Sequence, residues 1–200
     1  MWPSSGFRGW RAVTVARVEG LLAAYERFVS LPWPGRVSPA ERVWFALYEP
    51  QEERRLRLRL GAFEEATVRA GHEWAVRDLT DEFARWMSGL EYRESYFESP
   101  EDLTEDLLDD FAGHVAGTIM EALDGPEVGE GSVVAVHGVG SLFGLVRISR
   151  LLEMVSSRIR GRLLVFFPGE HAGGSYRLLD ARDGWNYLAI PITAQEGGRT

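Results

Sequence analysis

The sequence predicts an α/β domain: a mostly parallel sheet in a three-layer, Rossmann-like arrangement, similar to a P-loop NTPase core without its P-loop, with an N-terminal helix packed on it. Three observations carry this. Apolar runs at 43–48, 132–136 and 163–167 are bounded by turn residues and have the length and bulk of strands buried on both faces. Segments with an apolar period of three and four residues alternate with them. The last two runs are joined by a glycine turn and a helical segment, the connection a right-handed parallel crossover needs.

Each element has its own signal. Ala12 to Leu31 reads as a helix, with Val15, Val18, Leu22, Tyr25 and Val29 on one face and Pro32-Trp33-Pro34-Gly35 as its stop. Val43 to Tyr48 is the first strand, and Pro50 ends it. Arg54 to Ala70 fits both an alternating strand and a helix. Helix is favoured because Gly71 supplies a C-terminal stop and a strand, Glu73 to Leu79, follows at once. Thr80 is an N-cap candidate for a short helix carrying Phe83, Trp86 and Met87.

Ser99 to Leu123 reads as one long helix, with Ser99 as cap, Pro100 at its first position and Glu101 and Asp102 at the positive end of its dipole. Leu103, Leu107, Phe111, Val115, Ile119 and Leu123 form its apolar stripe. After strand 132–136 comes the turn His137-Gly138-Val139-Gly140. Ser141 is expected to cap a helix reaching about Ser157, before strand 163–167. Trp185 to Ile190 reads as the last strand, parallel or, after Tyr176 to Leu179, in a hairpin. The chain is expected to form one domain over 1–200, with 1–35 a helical extension and 41–192 the sheet core.

Composition removes several function classes. There is no cysteine, so thiol catalysis, disulfides and thiolate metal centres are excluded. All 22 basic side chains are Arg, so no lysine nucleophile and no P-loop lysine exist in this chain. No apolar run approaches membrane-spanning length and no leader is apparent, which makes the cytoplasm the expected location. A net charge of −8 argues against direct nucleic-acid binding. That charge is segregated: residues 91–130 hold 13 acids against Arg93, whereas 141–162 hold five Arg against Glu153.

Four candidate sites follow, and no metal or cofactor is assigned to any. The turn at Gly138, Gly140 and Ser141 opens a helix, where backbone amides attract anions. Its glycines lack both the P-loop lysine and the G-x-G-x-x-G spacing, so a tight packing turn competes with phosphate binding. Ser141 follows a strand as a nucleophile elbow does, but residue 139 is Val and residue 143 is Phe, so G-x-S-x-G is absent. Glu49, Asp78, His137, Glu170 and His171 fall at the carboxyl ends of strands, where a polar cluster could transfer protons. Arg147, Arg150 and Arg158 are expected on the exposed side of the helix after the turn, as a solvated face or as a surface for an acidic partner.

The C-terminal third also carries a resemblance. Val133-Val134-Ala135-Val136-His137-Gly138-Val139-Gly140-Ser141-Leu142-Phe143, then Arg147-Ile148-Ser149-Arg150-Leu151-Leu152, Leu164-Val165-Phe166-Phe167-Pro168-Gly169-Glu170 and Asn186-Tyr187-Leu188-Ala189-Ile190 resemble the BrxB family, small accessory proteins of BREX bacteriophage-exclusion systems. Gly144 stands where family members often have Pro, and Leu188 where they have a second aromatic. The resemblance implies a non-enzymatic subunit working by protein contact, with the alkaline-phosphatase-like PglZ component as partner. A small phosphate- or nucleotide-binding protein or enzyme using the 137–141 turn is the competing expectation.

Overall fold

The computed structural model describes residues 18–172, 175–178 and 189–194. Its elements run α1 (Val18–Val29), β1 (Val43–Tyr48), α2 (Glu53–Arg69), β2 (Glu73–Asp78), α3 (Glu82–Ser88), α4 (Arg93–Glu98), α5 (Glu105–Leu123), β3 (Ser132–His137), α6 (Ile148–Val155), β4 (Arg162–Ala172), β5 (Ser175–Leu178) and β6 (Ile190–Ile192). The main sheet has the order β2-β3-β4-β1-β6, and every neighbouring pair in it is parallel. This is the expected α/β class, with five parallel strands. The tail divides otherwise than expected, and the described strand at its end overlaps the expected one only at Ile190. β5 pairs antiparallel with β4, and β6 pairs parallel with β1.

The alternation of strand residues divides the core in two. Trp44, Ala46 and Tyr48 of β1 face α1 and α2, packing with Tyr25, Leu56 and Phe63. Val43, Phe45 and Leu47 face α5 and α6, packing with Phe111, Val115 and Leu152. Every residue of β1 and β3 is therefore buried, which explains the apolar runs 43–48 and 133–136. β2 lies at the sheet edge and is half-exposed. From β1 the chain crosses to β2 through α2 on one face, then steps back to β3 and β4 through α5 and α6 on the other. Reversing direction while changing face keeps a single crossover handedness.

The first helix is described from Val18 onward; Ala12 to Arg17 lie outside the described residues, as do Trp185 to Leu188 of the expected last strand. Three expectations need correction. The helix expected from Ser99 is broken. Pro100–Asp102 forms one 3-10 turn, and α5 starts only after Thr104, whose hydroxyl accepts the Leu107 N–H at 3.4 Å. Thr80 does not cap α3; its hydroxyl turns back to Asp78. Ser141 does not cap a long helix. It sits in a 3-10 turn, Val139–Leu142, and Gly144 at φ +78° breaks the path before α6 begins at Ile148.

Candidate functional site

Asp78 and His137 are register partners at the carboxyl ends of β2 and β3. That places His137 Nδ1 3.5 Å from Asp78 Oδ1, longer than a hydrogen bond. The imidazole is 8% exposed and its Nδ1 has no hydrogen-bond partner. Burial holds its pKa below the ordinary 6.5, against the pull of Asp78. The Asp78 carboxylate is already committed. It accepts the Thr80 N–H at 2.9 Å and the Thr80 hydroxyl. Burial pushes its pKa up, but the two Thr80 bonds, with His137 and Arg57 nearby, outweigh this and hold it below 3.8.

The network continues away from the sheet. Arg57 donates to Thr80 Oγ1 at 2.9 Å and to Glu53 Oε1 at 2.7 Å, and Glu53 accepts the Tyr48 hydroxyl. Desolvation and this carboxylate push the Tyr48 phenol well above its ordinary range, so it remains a neutral donor. Tyr48, Glu53 and Arg57 were not singled out as site residues in the sequence, and Thr80 only as an N-cap candidate. The four-residue step from Glu53 to Arg57 on α2 was the one local signal.

The five-residue polar cluster does not assemble as a whole. Asp78 and His137 meet, while Glu49 lies beyond β1, and β4 carries Glu170 and His171 past the parallel sheet into its hairpin with β5. There His171 lies against the Tyr176 ring at 4.6 Å. No group of three metal-ligating side chains gathers among the described residues.

The glycine turn is filled from β2's side. A Cβ on Gly138 (φ +79°) would stand 2.5 Å from Thr80 Oγ1, 2.7 Å from Thr80 N and 2.9 Å from Asp78 Oδ1. One on Gly140 would stand 3.3 Å from Pro168. The Ser141 hydroxyl points to backbone carbonyls, Gly138 O at 2.8 Å and Leu79 O at 3.2 Å, with no base beside it. Gly138 thus admits the Asp78–Thr80 turn against the end of β3. A carboxylate at that position also disfavours a second anion.

The three arginines do not share one helix. Arg147 precedes α6, Arg150 lies within it, and Arg158 ends the 3-10 turn that follows. Arg150 pairs with Asp109 of α5, and Arg158 with Asp124 at its end. Two ion pairs thus join the basic and acidic stretches of the sequence between α5 and the α6 region. Arg147 is exposed and forms no ion pair among the described residues. It borders an open groove with Glu105, Asp106, Asp109 and Glu153.

Comparison with known proteins adds one result. A family model described as BREX protein BrxB matches residues 86–192, from the end of α3 through β6 and over half of the chain. No curated protein and no solved structure matches. The matched stretch contains the resembling motifs, the glycine turn, the α5–α6 interface and three of the five parallel strands. This chain belongs to the BrxB family of BREX proteins.

Proposed function

We propose that the chain is a non-catalytic interaction subunit of a BREX phage-defence system, working in the cytoplasm with the PglZ-type, alkaline-phosphatase-like component as its direct partner. Membership of the BrxB family is the observation that carries this reading. The chemistry of the carboxyl edge supports it. Asp78 Oδ1 is engaged twice by Thr80, Ser141 is bonded to carbonyls, and the side of the glycine turn facing β2 is occupied. Nothing in that geometry favours the competing nucleotide-binding reading. No helix among the described residues is long and apolar enough to cross a membrane.

The test is co-elution. The chain and its cognate PglZ-type protein, mixed at micromolar concentration and low salt, elute together on size exclusion. Separate elution refutes the partner.

A further inference from the structure

Between α3 and α5 runs a connecting segment that holds α4. Its root is fixed at both ends. Glu82, 2% exposed, accepts bonds from Arg85 at 2.6 Å and Thr118 at 3.1 Å and sits 2.9 Å from His114 Nε2, which staples α3 to α5. Phe83 and Trp86 each lie 5.2 Å from the Phe111 ring. On the other side Thr104 caps α5.

The intervening residues 89–104 behave differently. Their hydrogen bonds close locally: Leu90 N to Met87 O at 3.1 Å, Ser99 N to Ser95 O at 2.8 Å, Asp102 N to Ser99 O at 3.0 Å, and the Arg93 guanidinium to Ser88 O at 3.1 Å. α4 and the 3-10 turn after it contribute no buried residue. Yet the segment carries two of the most exposed large apolar side chains among the described residues, Tyr92 at 67% and Phe97 at 69%. Isolated exposed aromatics are ordinary, but two within six residues, on an element that buries nothing, are not.

The charge around them is also unspent. Glu91, Glu94, Glu98, Glu101 and Asp102 stand against Arg93, a net of −4, and none of the five is ion-paired among the described residues. Acids elsewhere on this surface, such as Asp109 and Asp124, have arginine partners. Aromatic anchors inside an unpaired charged rim are the composition of a binding hot spot. The sign of the rim excludes nucleic acid and selects a basic protein surface.

We propose that residues 89–104 form a protein-docking arm that seats Tyr92 and Phe97 in apolar pockets of a basic partner surface. The partner is the PglZ-type protein of the reading above, and the arm is proposed as its docking surface.

Titration of the full chain into that purified protein separates the two. Wild type binds. Tyr92→Ala/Phe97→Ala binds roughly 30-fold more weakly or worse, as loss of a hot spot implies. Glu94→Arg/Glu98→Arg keeps the aromatics but slows association and weakens its salt dependence. Leu58→Ala, at a 79% exposed position on α2, leaves affinity unchanged. All variants melt as the parent does, because the altered side chains are exposed. If wild type binds and the aromatic double variant binds equally well, or if only Arg147→Glu weakens binding, the arm is overturned and the partner stands. If wild type does not bind, the partner falls and the arm with it. If the aromatic pair instead governs self-association seen by sedimentation, the occupant is a second copy and the proposal is overturned.

Discussion

Gly138 and Gly144 share one backbone conformation, φ +79° and +78°, but differ in surroundings. A Cβ at Gly144 would meet open space, whereas at Gly138 it would meet the Asp78–Thr80 turn at 2.5–2.9 Å. Alanine at either position carries the left-handed cost, about 1 kcal/mol. At Gly138 the turn must also move, which loses a bond such as Thr80 N–H to Asp78, about 1 kcal/mol net, and adds overpacking of similar size. Gly144→Ala is thus expected to cost about 1 kcal/mol and Gly138→Ala about 3 kcal/mol. For a chain of this length that separates the two melting temperatures by roughly 4–8 °C. Urea denaturation followed by circular dichroism, with the slope checked for constancy, measures the same gap. Equal losses for the two variants would show that Gly138 serves no close approach, and would return the turn to the list of open anion sites.

Other expectations follow from the same geometry. Glu82→Ala leaves His114, Thr118 and Arg85 without their shared acceptor and should cost about 2 kcal/mol, read by chemical denaturation; a loss below a few tenths would mean that α3 is held by its aromatics alone. His137 is buried with a pKa below 6.5, so the unfolded chain takes up a proton first as pH falls. Stability is present above pH 6.5 and declines as pH drops from there through the folded value. Asp78 acts in the same direction but only as pH falls below its ordinary 3.8, and Arg57 stays charged throughout. His137→Gln should therefore flatten the stability profile as pH falls below about 6.5, and an unaltered slope there refutes the assignment. Arg150→Ala removes a half-exposed pair with Asp109 and should change stability by less than about 1 kcal/mol, diminishing further in high salt.

The sequence was most legible where both faces of an element are buried. β1 was located at its observed ends because six consecutive apolar residues admit few alternatives. The start of β3 was found for a similar reason, that of the half-exposed β2 from the Gly71 stop before it, and α2 within a residue. Errors came where a strong local signal was overruled a few residues on. Ser99-Pro100-Glu101-Asp102 does begin a helical turn, but Leu103 leaves it and Thr104 makes a second start. Ser141 had a capping residue's surroundings, yet Gly144 was available to reverse the backbone. The site was less legible. Asp78 and His137 could be placed on one edge by strand logic, but the bonds to Thr80 and from Arg57 depend on turn and rotamer geometry. The segregated charge was visible, whereas its cancellation between Arg150 and Asp109 is a contact 41 residues apart in the chain.

The strand order has a consequence for how such a chain is made. β1 lies between β4 and β6, so its neighbours are residues 163–168 and 190–192. During synthesis Val43-Trp44-Phe45-Ala46-Leu47-Tyr48 emerges first and waits for most of the protein to follow before either edge is paired. An uncharged apolar hexamer with high strand propensity is an aggregation hazard in that interval. Arg42 and Glu49-Pro50 flank it as charged and chain-breaking guards. The same order means that the stretch 86–192 is no folding unit by itself, because without β1 it would hold β4 and β6 apart with nothing between them. A shortened chain begun at residue 86 should therefore be recovered as aggregate, however well it keeps the family's motifs.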